Sequence, residues 1–261
     1  MENLENINKD NWLTEETQNS ENLSETVIIP TESTLEKADN KKKKERRFTK
    51  GEEIFNGVTH IVGAGFAILA TLAILVVSGI SGDVVAILSA VIYGFSLIVL
   101  YVMSSVYHML RFNRAKKVFR VLDHCSIFLL IAGTYTPFCL ITLRGNVIGI
   151  VLFCIVWAIA ILGIVLNAID LKNKAIVIFS QISYVVLGWC VVIGFKPIMD
   201  AMSFWSLLWL IAGGVAYTVG IVFFALGRRV KYFHPIWHFF VMFGSAFQYI
   251  SVFIIMLNLI K

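Results

Sequence analysis

The five histidines of this 261-residue chain are its best candidates for metal chemistry. His234 and His238 are four residues apart, so on a helix both imidazoles share one face and could offer two nitrogen ligands to one ion. The same spacing would also suit two interfacial histidines that cap the helix or extend toward water. Ser104 and His108 share a face in the same way, and His108 would add a third nitrogen donor from a separate segment. Three histidines with one open position are typical of catalytic zinc, since imidazole suits zinc whereas calcium and magnesium prefer oxygen.

Asp123 is the candidate acid–base residue, because it is the one carboxylate after Glu53 with a histidine beside it. One interpretation makes it an N-cap or first-turn residue, a common and stabilising position for aspartate. The other interpretation has it orient a water at the metal and accept a proton from that water. His124 would lie about 100° around the helix from Asp123, so we expect it to have a supporting or interfacial role.

A polar stripe opens the first apolar segment. Thr49 and Glu52 have the spacing of a capping box, which accounts for Glu52. Glu53, Asn56 and His60 follow at steps of three and four residues, so they share one face of the helix. We expect this face to point into the protein, where it would support a metal site rather than bind the metal.

The composition excludes a soluble globular protein. Hydrophobic residues make up 58% of the chain and charged residues only 15%, whereas soluble domains have about 45–50% and about 25%. After Glu53 the only carboxylates are those of Asp83, Asp123, Asp170 and Asp200. These features indicate a membrane protein with several spans and a polar N-terminal tail.

Seven apolar segments are each about as long as the 20 residues that cross a bilayer. Such segments must be helices, since in lipid each one has to satisfy its own backbone hydrogen bonds. The predicted fold is therefore all-α, a seven-transmembrane helix bundle over residues 51–261, preceded by a disordered acidic tail over 1–50 that ends in a basic juxtamembrane segment. The predicted spans are 54–78, 84–108, 123–143, 146–168, 174–195, 203–226 and 235–258.

Lysine and arginine counts predict the orientation. The segment 41–50 and the loops on the same side of the bundle hold 17 of these residues, whereas the other side holds three. The positive-inside rule then places the N-terminus in the cytoplasm and the C-terminus outside, as a multi-pass protein of the cell membrane. All five histidines and Asp123 would lie at the cytoplasmic end. We expect 41–50 to contact anionic inner-leaflet lipid rather than nucleic acid.

Together these motifs resemble the hemolysin III family, which is related to the progestin and adipoQ receptor family that includes the adiponectin receptors. The resemblance covers about residues 50–261. The residues that carry it are Glu53, Asn56, Thr59 and His60; Ser104, Ser105, Tyr107 and His108; Asp123, His124 and Ile127 with the run from Ala132 to Pro137; and His234 with His238.

The wider superfamily, which is similar to the alkaline ceramidases, places a serine, an aspartate and three histidines around an intramembrane zinc. The resemblance therefore implies Zn²⁺ bound by His108, His234 and His238. It implies that Asp123 holds or deprotonates the water at the zinc, and that Ser104 supports the site or the oxyanion.

Three functions are compatible with these residues. The first is a zinc-dependent hydrolase acting on a lipid amide or ester, for which a membrane lipid would be the substrate. The second is a cytolytic or pore-forming protein of the hemolysin III type. The third is a non-catalytic, zinc-stabilised regulator of membrane lipid composition, for which lipid would be a ligand. The sequence leaves the oligomeric state open.

Overall fold

The computed structural model describes residues 48–111, 113–227 and 229–260, and within these ranges the chain forms helices and no β-strand. Seven helical stretches are long and apolar enough to cross a membrane, which confirms the predicted all-α, seven-span class. The predicted tail lies outside the described residues except for 48–50, so its disorder and the domain boundary stay predictions. The placement of the N-terminus in the cytoplasm and the C-terminus outside also stays a prediction. The α-helices are α1 Lys50–Ser81, α2 Val84–Met109, α3 Arg114–Pro137, α4 Val147–Asp170, α5 Lys174–Trp189, α6 Phe195–Ala201, α7 Phe204–Gly227 and α8 Phe233–Leu257. A 3-10 helical turn over Cys190–Gly194 joins α5 and α6 into one span.

The third span begins earlier than the sequence indicates. α3 starts at Arg114, where the side chain of Asn113 accepts a hydrogen bond from the backbone N–H of Lys116. Hydropathy misses this part of the helix because it is charged and therefore resembles a loop. Asp123 consequently lies well inside α3, and its interpretation as an N-cap or first-turn residue is wrong. α3 ends at Pro137, after which the chain continues as a π-helical turn over Phe138–Thr142.

The bundle has apolar side chains outside and many polar ones inside. Phe66 is 64% exposed and Val147 73% exposed, as expected for side chains that face lipid. Asn56 and Ser251 have no exposed surface. These polar side chains therefore face the interior of the bundle instead of hydrocarbon, where they would be costly.

α1 lies between α2 and α8, because it packs against both of these helices. Its N-terminus has the predicted capping box, in which Thr49 accepts from the backbone N–H of Glu52 and the Glu52 side chain accepts from that of Thr49. α1 approaches α2 closely at Gly63, where a Cβ atom would stand 2.6 Å from the ring of Tyr101. This arrangement places the first, second and last spans around one region of the interior.

An ion pair joins two loops at the far end of the bundle from this capping box. Asp83 caps α2 and accepts two hydrogen bonds from the guanidinium of Arg144, at 2.6 and 3.0 Å. The Arg144 guanidinium holds the pKa of the Asp83 carboxyl below its usual value.

Candidate metal centre

Three histidines from two helices form one cluster at the N-terminal end of α1. His108 lies in the last turn of α2, whereas His234 and His238 lie one turn apart at the start of α8. Each offers one ligand nitrogen, and the three nitrogens lie within 4.8 Å of one another. His108 and His238 are buried and His234 is partly buried. Three convergent imidazoles are a donor set that suits zinc.

Glu53 determines which nitrogen of His108 is free. The Nδ1 atom lies 2.7 Å from Oε2 of Glu53, and an ionised carboxylate only accepts, so Nδ1 carries the proton. Nε2 is buried without a hydrogen-bond partner among the described residues. Asn56 Nδ2 lies 3.5 Å from the same Nδ1, but two donors cannot bond each other. Neutral imidazole is the form that binds a metal ion, and with the proton on Nδ1 it is Nε2 of His108 that would offer the lone pair.

His238 also has a buried nitrogen, Nδ1, that makes no hydrogen bond within the described part of the chain. Its ring centroid lies 4.9 Å from that of His234 and 5.1 Å from that of His108. Leaving a buried polar atom unpaired costs about 1–3 kcal/mol. Three imidazole nitrogens within 4.8 Å, in a region that also holds buried unpaired imidazole nitrogens, fit one metal ion.

The polar stripe of α1 faces this cluster. His60 stacks on His238, with ring centroids 3.9 Å apart, and meets the ring of Tyr101 edge-on at 5.2 Å. Both ring nitrogens of His60 and the Oδ1 atom of Asn56 are buried without hydrogen-bond partners in the described ranges. His60 is not one of the three grouped ligands. It therefore adds polar atoms beside the cluster.

Lys116 completes a chain of side-chain contacts that runs from His108 through Glu53. Its Nζ atom lies 2.8 Å from Oε1 of Glu53 and 3.2 Å from the carbonyl oxygen of Leu110. The spacing of the stripe indicates that Glu53 faces inward, but it cannot identify Lys116 as a partner. Lys116 belongs to the part of α3 that hydropathy assigns to a loop.

Asp123 and Ser104 are not among the three grouped ligands. The Oδ2 atom of Asp123 lies 3.8 Å from Nδ1 of His124, and its backbone carbonyl accepts a hydrogen bond from Ser126. Ser104 is buried, one turn before His108 on α2. Their catalytic roles stay predictions. His124 contacts backbone groups, since its Nδ1 lies 2.9 Å from the carbonyl oxygen of Arg120.

Seven apolar helices around a buried histidine cluster define a multi-pass integral membrane protein with a candidate metal centre. The family model for haemolysin-III-related proteins matches residues 48–249. The chain therefore belongs to the haemolysin-III-related family, which confirms the resemblance drawn from the motifs.

Named relatives cover most of the membrane region. Hemolysin-3 of Bacillus cereus is 38% identical over 203 residues, which are 77% of this chain and 90% of the relative. The Hemolysin-3 homolog of Bacillus subtilis (strain 168) is 36% identical over 205 residues, 78% of this chain and 94% of the relative. The human Monocyte to macrophage differentiation factor is 26% identical over 174 residues, 63% of this chain and 69% of the relative.

Proposed function

We propose that His108, His234 and His238 bind one Zn²⁺ and that the resulting centre hydrolyses an amide or ester bond of a membrane lipid. The observation that carries this proposal is the convergence of three imidazole nitrogens within 4.8 Å in a buried region. A hydrolytic site for lipids has to lie where acyl chains can reach it, and the cluster belongs to membrane-spanning helices.

When bound, a zinc ion held by three neutral imidazoles supplies a Lewis acid that polarises a carbonyl and lowers the pKa of a water to about 7. Glu53 holds the proton of His108 on Nδ1, which keeps the lone pair of Nε2 available. We propose that Asp123 acts as the general base that accepts a proton from the attacking water. Asp123 would then donate this proton to the leaving nitrogen or oxygen. Ser104 shares the face of α2 that carries His108, and we assign it support of the substrate carbonyl.

The lysine and arginine distribution supports a cytoplasmic N-terminus in the cell membrane, with the metal centre near the inner leaflet. A lipid would then enter sideways from that leaflet. Residues 41–47 of the basic segment 41–50 lie outside the described residues. The contact of this segment with anionic lipid stays a prediction.

The first test is the metal content of detergent-purified protein, measured by mass spectrometry for the wild type, His108→Ala and His238→Ala. We expect about one zinc per chain in the wild type and a clear loss in both variants. His124→Ala is the comparison variant, because His124 is not one of the three grouped ligands and its Nδ1 lies 2.9 Å from the carbonyl oxygen of Arg120. Metal-free wild-type protein, purified without chelators, would refute the site.

Hydrolysis is tested separately, by incubating zinc-loaded protein with defined lipid amides and esters in mixed micelles. We expect Asp123→Asn to bind zinc normally but to lose turnover of any lipid that the wild type cleaves. An unchanged rate in this variant would remove Asp123 from the mechanism. Zinc binding without turnover of any lipid would instead favour the zinc-stabilised regulator.

A cytolytic function is the second candidate, supported by the name of the Bacillus cereus relative, Hemolysin-3. It predicts release of an encapsulated dye from liposomes at a low protein-to-lipid ratio. We expect the purified protein to release no dye under these conditions. Release that persists in His108→Ala would favour cytolysis independent of the metal centre.

A further inference from the structure

We propose that two consecutive carboxylates at the start of α1, those of Glu52 and Glu53, position the two helices that carry the metal ligands. Glu53 fixes the ring of His108 on α2, and Glu52 fixes the backbone from which α8 begins. Both are positioning residues that act through the histidines. The inference rests on the proposed zinc site.

Glu53 contacts one helix with each of its carboxylate oxygens. Oε2 accepts from Nδ1 of His108 at 2.7 Å, and Oε1 accepts from Nζ of Lys116 at 2.8 Å. The carboxylate is therefore held in place while it orients the imidazole. A carboxylate on the far nitrogen of a ligand histidine fixes the tautomer and makes the ligating nitrogen more basic.

Glu52 does more than close its capping box. Its Oε2 atom accepts from the backbone N–H and the hydroxyl of Thr49, both at 2.9 Å. Its Oε1 atom accepts from the backbone N–H of Tyr232 at 2.7 Å, a contact between residues 180 positions apart. A capping box requires only the contacts with Thr49. The contact with Tyr232 joins the start of α1 to the start of α8.

Tyr232 has an unusual backbone conformation. Its φ is 63°, and among the described residues it is the one non-glycine residue with a positive φ. This conformation is disfavoured for a bulky side chain, so surrounding contacts must hold it. No side chain caps α8 at Tyr232, and His234 follows two residues later. The bond to Glu52 is one contact that holds this turn, and it ties the residues just before His234 to the start of α1.

Helix geometry explains why two adjacent residues can serve two different helices. Successive side chains diverge by about 100° around an α-helix, so neighbours in sequence point to different partners. α1 packs against both α2 and α8. Glu53 can therefore reach α2 while Glu52 reaches α8. The helix that carries His108 and the helix that carries His234 and His238 are thus both positioned by α1.

The test is the affinity of the full-length, detergent-solubilised protein for Zn²⁺, measured by competition with a chromophoric chelator. We expect Glu53→Gln to bind zinc about 10–100-fold more weakly than the wild type. Glu52→Met, which has a side chain of similar length but no oxygen to accept from Tyr232, should also bind more weakly. Asp83→Asn is the matched control, because Asp83 caps α2 and pairs with Arg144 at the far end. Its affinity should equal that of the wild type.

Cobalt spectra separate positioning from a general loss of stability. With Co²⁺ bound at saturation, we expect the visible bands of Glu53→Gln to shift, because the ligand field of His108 has changed, and those of Asp83→Asn to match the wild type. If Glu53→Gln does not fold, Glu53→Asp retains the charge but withdraws the oxygens by one methylene, and it should also bind zinc more weakly.

Tyr232→Gly tests the second contact, since it keeps the N–H that Glu52 accepts and relieves the positive φ. Its zinc affinity should stay within about twofold of the wild type. Loss of binding in this variant, or wild-type affinity in Glu52→Met, would overturn the role of Glu52. Wild-type affinity with unshifted cobalt bands in Glu53→Gln would overturn that of Glu53. Absence of metal from the wild type would refute the proposed zinc site itself, and this inference with it.

Discussion

Gly63→Ala should destabilise the junction of α1 and α2 beside the metal centre. The added Cβ would stand 2.6 Å from Cδ1 of the Tyr101 ring and 2.7 Å from Cε1. Carbon atoms pack at about 3.5–4.0 Å, so the ring or the helix has to shift by about 1 Å. Overpacking of this kind costs about 1–3 kcal/mol. The shift also reaches the cluster, since the ring of Tyr101 meets His60 edge-on.

Gly65→Ala is the control for this substitution. It lies on the same helix and a Cβ there meets no atom within 4 Å. Both variants gain the helix propensity of alanine over glycine, about 1 kcal/mol, so their difference isolates the clash with Tyr101. We therefore expect Gly63→Ala to be about 1–3 kcal/mol less stable than Gly65→Ala.

Thermal unfolding in detergent, followed by tryptophan fluorescence, measures this difference. At roughly 2–4 °C per kcal/mol for a chain of this size, the midpoint of Gly63→Ala should lie roughly 2–12 °C below that of Gly65→Ala. Zinc affinity should fall in Gly63→Ala only. Equal midpoints for the two variants would refute the close approach of α1 and α2 at Gly63.

Other expectations concern metal, pH and helix capping. Zn²⁺ at about 100 times its dissociation constant should stabilise the wild type against thermal unfolding by about 2.7 kcal/mol. The unfolding midpoint of His108→Ala should not change when Zn²⁺ is added. Equal shifts of the midpoint in both proteins would contradict ligation by His108. Because Arg144 lowers the pKa of Asp83, this ion pair contributes stability above the unfolded pKa of the carboxyl, and that contribution is lost as the pH falls through the lower folded pKa. Exposure limits it to less than about 1 kcal/mol, so Arg144→Gln should lower the unfolding midpoint slightly at pH 7, and this deficit should shrink as the pH falls through the folded pKa of Asp83. A deficit that does not change with pH would exclude the ion pair as its cause. Asn113→Ala should cost about 1 kcal/mol, read from the same unfolding curves, because it removes the cap of α3; no change would mean that the first turns of α3 contribute little.

Hydropathy predicts the seven spans well because lipid allows few other solutions for apolar segments. It fails where a helix continues beyond the apolar region, as α3 does from Arg114, since there the charged residues carry no hydropathy signal. This one error produced the wrong interpretation of Asp123 as a helix-start residue.

The convergence of His108, His234 and His238 was foreseeable from their spacing and shared depth. The contacts around them were not, because they depend on which helices are neighbours. Nothing in the sequence pairs Glu53 with Lys116, or Glu52 with the backbone of Tyr232. The polar stripe of α1 indicates only that such residues face inward.

The packing of α8 against α1 also fixes the order in which the site can form. Ribosomes synthesise the last helix last, so His234 and His238 can join His108 only after every preceding span has been made. A nascent or truncated chain that ends before Tyr232 lacks both histidines and the N–H that Glu52 accepts. An ion that requires all three histidines would therefore be acquired only after α8 has been synthesised. The fraction of chains that hold the ion would then give the fraction in which α8 has packed against α1.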